Sequence, residues 1–240
     1  MFSLRFDGTK YHGWQVQKNA LTIQQVFQEA VASVLGDPVD ITGCSRTDAG
    51  VHANMYCCQL RTARSISEVK LINALNFYLP RDIGVFDCRE VPQDFHARYS
   101  CKSKEYIYKI WNAPFRNPFY ENYALHYKHR IDEVFLNSQA QAYVGTHNYS
   151  GFSASGSSVL DTVRTVKKFT VHREGDKVIF TVEADGFLYN MVRIMTGTLL
   201  EIAERKIPQD TLQDIIFSGE RERAGRTAPA CGLYLNRVFY

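Results

Sequence analysis

The order in which the apolar period changes along residues 2–91 is what most constrains the fold of this chain. Phe2, Leu4 and Phe6 alternate with Ser3 and Arg5, the period of a half-buried strand. Ile23, Val26, Phe27, Ala30 and Val34 then recur at helical spacing. Thr22 is placed to cap that helix, Gln25 lies three residues on to complete a capping box, and Gly36 ends it. Two stretches rich in β-branched, aromatic and cysteine side chains follow, at 39–46 and 51–62. Ser67 caps a second helix that runs up to Pro80, and 83–91 reads as a closing strand. Strand, helix, strand, strand, helix, strand is the order of a ferredoxin-like unit, so the expected class is α+β.

The second half repeats the mixture with insertions. Residues 104–111 read as a strand and 131–144 as a helix, while 162–172 and 177–183 form a hairpin across 173–176. A long helix is expected over 187–205, with Leu188, Val192, Met195, Leu199 and Ile202 as its apolar stripe. A shorter helix follows at 208–217 with Pro208 in its first turn, and 233–240 is a terminal strand. Two halves of similar make-up, 1–98 and 99–240, are therefore expected, with 149–160 as a Ser- and Gly-rich loop.

Composition excludes more than it selects. A length of 240 residues suits one large domain or two small ones, and a net charge of +3 permits a nucleic-acid partner without demanding one. Cations cluster at Arg98, Lys102, Lys104 and Lys109, and again at Arg164, Lys167, Lys168 and Arg173; each cluster reads equally as an RNA-facing surface or a solvated strand face. Of six cysteines, Cys57 and Cys58 are adjacent and none forms a Cys-x-x-Cys pair, so zinc is not expected. The first residues read as a strand and not as a signal peptide, which makes disulfides unexpected and the thiols small core residues. No apolar run reaches membrane-spanning length, and a cytoplasmic location is expected. Neither a Gly-x-Ser-x-Gly elbow, a Walker loop nor Gly-x-Gly-x-x-Gly occurs, which removes the commonest hydrolase and nucleotide-cofactor chemistries.

Local pattern alone assigns modest roles to the polar residues. Asp48 lies on a tight turn between two extended stretches, with Gly50 able to take positive φ, and turn hydrogen bonding is its first reading. Tyr106 shares a strand face with Tyr108 and Ile110 and reads as an ordinary sheet aromatic. Arg193 falls well off its helix's apolar stripe and reads as a solvated arginine. Arg46 reads as a surface strand charge and Leu233 as core packing; His52 and His147 could be mistaken for acid–base residues, and His52, which follows the turn on a strand, reads as a partner in a structural hydrogen bond.

Longer motifs change that weighting. Arg46, Thr47, Asp48, Gly50, Val51, His52 and Ala53, in that order and spacing, resemble the active-site motif of the tRNA pseudouridine synthase A family. The run from Phe6 to Gln17, reading Phe-Asp-Gly-Thr-Lys-Tyr-His-Gly-Trp-Gln-Val-Gln, is similar to the family's opening. Phe95-His96-Ala97-Arg98 with Lys104-Glu105-Tyr106-Ile107-Tyr108, then Gly145-Thr146-His147, Asn190-Met191-Val192-Arg193 and the run from Ala228 to Leu233 resemble later signatures. Ser45 stands where glycine is usual, Asn148-Tyr149 replaces Asp-Phe, and Ala203-Glu204-Arg205 lacks the usual glycines.

The resemblance implies two ferredoxin-like units whose antiparallel sheets join into one central sheet with a cleft between the halves. It implies isomerisation of uridine to pseudouridine at positions 38–40 of the tRNA anticodon arm, by a cytoplasmic homodimer that uses no metal or other cofactor. Asp48 would be catalytic, Tyr106 would pack on the target base, Arg193 would be the ionic partner of Asp48, Arg46 would help displace the base, and Leu233 would lie beneath the active site. The chemistry is plausible for one carboxylate: a flipped nucleotide loses its stacking neighbours, and an ionised Asp can act at C1′ as the glycosidic bond opens. The base rotates and rejoins through C5, so no activated water is needed. Two rivals stand beside this reading: an RNA-binding protein of the same fold without catalysis, and a base-releasing hydrolase using the same Asp.

Overall fold

The computed structural model describes residues 1–156 and 159–240, so positions 157 and 158 of the expected 149–160 loop lie outside the described residues. The chain forms two compact units, 1–102 with 234–240 and 103–233.

The first unit contains β1 (Phe2–Phe6), α1 (Ile23–Leu35), β2 (Thr42–Gly43), β3 (His52–Gln59), α2 (Glu68–Tyr78) and β4 (Ile83–Cys88), joined by β10 (Leu233–Phe239) from the end of the chain. β1 lies between β3 and β4 and is antiparallel to both, with Leu4 opposite Tyr56 on one side and Val85 on the other. β2 is antiparallel to β3, and β10 runs parallel to it with Tyr234 opposite His52. Phe27 of α1 meets Phe2 edge-on at 5.7 Å. Asn76 ties α2 to β4, its amide donating to the Val85 carbonyl and its oxygen accepting the Val85 N–H, each at 2.8 Å.

The ends of α1 are as the sequence predicts, with one difference. Thr22 Oγ1 accepts the Gln25 N–H at 3.4 Å, and Gly36, at φ +80°, donates its N–H to the Ala32 carbonyl at 2.7 Å. The Gln25 side chain turns forward to Glu29 at 3.0 Å, so only half of the capping box forms. Ser67 occupies the cap position of α2, but its side chain makes no cap bond among the described residues. The expected strand over 39–46 shrinks to two residues; the Cys44 N–H makes a last bond to the Cys57 carbonyl at 2.9 Å before the chain turns into the loop that carries Asp48.

The second unit holds β5 (Ser103–Trp111), β6 (Leu125–His126), α3 (Glu133–Ala140), β7 (Gly145–Asn148), β8 (Val163–Glu174), β9 (Lys177–Ala184), α4 (Met191–Ala203) and α5 (Leu212–Ser218). Its strands run β5-β9-β8-β7, antiparallel throughout, with β6 parallel to β5. The expected hairpin is β8–β9, closed where Glu174 faces Lys177. Within β8 the register shifts between Val166 and Lys168, a bulge that explains two consecutive exposed lysines between buried Val166 and Phe169. α3 is shorter than the sequence predicts: Asp132 caps it by accepting the Phe135 N–H at 2.9 Å, and its last turn tightens to a 3₁₀ turn over Gln141–Tyr143. α4 starts at Met191 and not 187, and α5 starts beyond Pro208.

The class is α+β, as expected. Cys44, Cys57 and Cys58 are buried in the core, whereas Cys88, Cys101 and Cys231 are half-buried. No helix among the described residues is long and apolar enough to cross a membrane.

Candidate active site

Asp48 sits on a turn that the first unit braces from outside. The Val51 N–H donates to the Asp48 carbonyl at 3.2 Å, and Gly50 at the third position of the turn has φ +77°. That is the type II pattern, in which the third residue must take positive φ, so glycine is required there. The segment carrying the opening motif runs alongside. Trp14 donates its N–H to the Thr47 carbonyl at 3.3 Å, and Gly50 donates to the Tyr11 carbonyl at 3.1 Å. Gly13 has φ +81°, and a Cβ there would lie 2.1 Å from the Thr47 oxygen. The loop backbone therefore approaches as closely as a glycine allows.

Aromatic packing completes the brace. Trp14, 2% exposed, stacks on Tyr56 with centroids 4.1 Å apart, and the Tyr56 hydroxyl donates to the Ser45 carbonyl. The Tyr11 hydroxyl donates to Asp82 Oδ1 at 2.8 Å; burial, then Asp82, push its pKa well up, so it remains a neutral donor. His52 is buried, stacks on Tyr234 at 4.7 Å, and accepts the Gly8 N–H on Nδ1 at 3.1 Å. Asp7 Oδ1 lies 3.1 Å from the same nitrogen, within ion-pair distance of the imidazole. Asp48 itself is half-buried, and Arg46 on the same loop is exposed.

Tyr106 and Arg193 belong to the second unit. Tyr106 is 6% exposed, shares its face of β5 with buried Tyr108 and Ile110, and meets Phe187 edge-on at 5.0 Å. Tyr108 donates its hydroxyl to the Pro229 carbonyl at 2.7 Å. Arg193 corrects the helical-phase expectation. Every other residue of α4 from Met191 to Leu200 is buried, so the helix is enclosed all round and has no solvated face there to carry an arginine. Arg193 is half-buried, its Nε donating to the Ala228 carbonyl and its NH1 to Asn190 Oδ1, both at 2.7 Å. Leu233 is 5% exposed at the start of β10. His147 is half-buried, its Nε2 3.4 Å from the Val144 carbonyl.

The cation clusters divide. Lys104 is buried and Lys109 half-buried, the latter's pKa lowered by burial and then by Lys177. Arg173 is a structural residue, donating to Glu133 Oε2 at 2.9 Å, Asn112 Oδ1 at 2.8 Å and the Ile131 carbonyl at 2.9 Å. Arg98, Lys102, Lys167 and Lys168 are exposed. Sequence reasoning gave Tyr11, Trp14, Asn190 and Ala228 no roles of their own. The signal was present, since all four lie inside the motifs, but a motif does not say which of its members hold the others.

The sequence model of the tRNA pseudouridine synthase family matches residues 3–100 and 139–240. The chain belongs to that family. Named relatives cover it end to end. The tRNA pseudouridine synthase A of Thermoanaerobacter sp. (strain X514) is 45% identical over 240 residues, 100% of this chain and 98% of its own. That of Acetivibrio thermocellus is 45% identical over 237 residues, 99% of this chain and 97% of its own. That of Clostridium acetobutylicum is 42% identical over 238 residues, 99% and 98%. A solved Cbf5–Nop10–Gar1 complex aligns over 98% of this chain and 57% of its own at 11% identity and a TM-score of 0.40. Asp48 and Arg193 fall in the matched stretches of the family model, whereas Tyr106 falls in the unmatched stretch 101–138 and is covered by the full-length relatives alone.

Proposed function

We propose that this chain is an isomerase that converts uridine to pseudouridine in tRNA, at positions 38–40 of the anticodon arm, with Asp48 as its catalytic group. The carrying observation is the Asp48 turn. Main-chain bonds to a second, glycine-bearing segment fix the backbone from which the Asp48 side chain projects, which suits attack at one sugar carbon. In the reaction the C1′–N1 bond breaks and its electron pair leaves with the base. The base turns, C5 bonds to C1′, the C5 proton is lost and N1 is protonated, so nothing is added or released. Tyr106 provides the aromatic face for the flipped base and assists loss of the C5 proton. Arg193 supplies the cation that keeps the carboxylate charged once water is excluded. Arg46 helps displace the base from its stack, and Leu233 packs beneath it.

The reaction needs no cofactor in this reading, and the chain acts as a cytoplasmic homodimer, as the family resemblance implies. The experiment is incubation with unmodified tRNA, followed by mapping of pseudouridine and assay of free uracil. Asp48→Asn should reduce turnover by at least about 10³-fold while tRNA affinity stays within a few-fold. Wild-type turnover in that variant removes Asp48 from the mechanism. Free uracil in place of pseudouridine makes the chain a hydrolase, and binding without either product makes it an RNA-binding protein.

A further inference from the structure

We infer that Asn190 is a positioning residue for Arg193, an inference that rests on the reading above in which Arg193 serves the reaction of Asp48. Asn190 precedes α4 at φ +61° and ψ +9°, in the left-handed region that side chains rarely adopt. An asparagine at a helix N-cap ordinarily has an extended backbone and accepts an amide of the first turn on its side-chain oxygen. Here the backbone carbonyl still starts the helix, accepting the Ile194 N–H at 3.0 Å, but the side chain makes no cap bond among the described residues. Its oxygen instead accepts Arg193 NH1 at 2.7 Å. Helix capping is thus given up, and an uncommon backbone conformation adopted, for one bond to a guanidinium.

The second anchor is main chain. Ala228 accepts Arg193 Nε on its carbonyl at 2.7 Å and donates its N–H to the Arg193 carbonyl at 3.1 Å. The strap carrying Ala228 lies flat on α4, since a Cβ at Gly197 would be 1.8 Å from the Arg226 oxygen, and the Gly225 N–H donates to Thr198 Oγ1 at 2.9 Å. Two acceptors on different nitrogens fix the plane of a guanidinium, which one acceptor leaves free to rotate. Of the two, only Asn190 can be removed by a side-chain substitution.

Asn190→Gly suits the left-handed backbone and deletes only the acceptor, so the fold should be retained. Turnover on tRNA should fall about tenfold, with KM changed by less than about twofold, because orientation and not binding is lost. Asn190→Asp keeps an oxygen in the same place and should return turnover to within about threefold of wild type. In an Arg193→Lys background, adding Asn190→Gly should cause no further loss, since the group being oriented is already gone. Wild-type turnover in Asn190→Gly overturns the inference, as does equal loss in the Asp and Gly variants, or a loss that multiplies with that of Arg193→Lys. Asp48→Asn separates this failure from that of the underlying reading. An inactive Asp48→Asn with a fully active Asn190→Gly removes only the positioning role, whereas an active Asp48→Asn removes the mechanism itself.

Discussion

Ser45 immediately precedes Arg46 on the loop that carries Asp48. Its position beside Arg46 and its departure from the family's usual glycine are visible in the sequence, yet its surroundings are not. The Ser45 carbonyl accepts the Tyr56 hydroxyl, so its backbone is part of the brace under Asp48. Its own hydroxyl is buried with no hydrogen-bond partner among the described residues. A buried hydroxyl left unpaired costs desolvation without return. Ser45→Ala should therefore leave stability unchanged or raise it by up to about 1 kcal/mol, with turnover retained. Thermal unfolding checks this, and a fall of several degrees would mean that the hydroxyl is bonded in solution. Arg193 teaches the complementary lesson. Helical phase compares a residue with its own helix alone, and α4 is packed on every side, so the phase rule assigned a solvated face where none exists.

At the scale of elements, the strong periodic segments were legible and their ends were not. α1, α2, β5, β8, β9 and α4 all fall within the spans the sequence predicts, or within a few residues of them. Where caps and ends differ, another local side-chain bond has won over the expected one: Gln25 turns to Glu29, Asp132, one residue inside the expected start, caps α3, and Asn190 holds Arg193 in place of capping α4. The short strands β6 and β7 have no period to detect and exist through their pairing with β5 and β8. The α3 start yields a prediction. Glu133, in its first turn, accepts Arg173 Nε at 2.9 Å, and its own backbone amide together with that guanidinium holds its carboxyl below the usual carboxylate range. A depressed carboxyl stabilises the fold above its unfolded pKa, and that stability is lost as pH falls through the lower folded value. Glu133→Gln should thus destabilise the protein by about 1 kcal/mol at pH 7, and the difference from wild type should vanish in acid. Melting curves from neutral pH to about pH 3 read the gap directly. A gap of constant size across that range would show that charge contributes nothing at this position.

For the whole molecule, net charge was the least informative quantity, and the structure explains why. From the sequence, eight cations in two clusters read equally as an RNA-facing surface or a solvated strand face. Folding takes Lys104 into the interior and commits Arg173 to Glu133, Asn112 and the Ile131 carbonyl, so neither is available to phosphate. The bulge in β8 does the opposite, turning Lys167 and Lys168 outward together, with Lys167 3.8 Å from Glu183 at the surface. If the tRNA contacts this pair, affinity should fall linearly with the logarithm of salt concentration, and reversing both charges should reduce that slope by about one to two units. Lys167→Glu with Lys168→Glu is the sound choice of variant, because both side chains are exposed and the fold does not hang on them as it does on Arg173. Filter binding at several salt concentrations gives the slope for each protein. An unchanged slope would place the phosphates on other cations, with Arg98 and Lys102 next to be reversed, since folding leaves those two exposed as well.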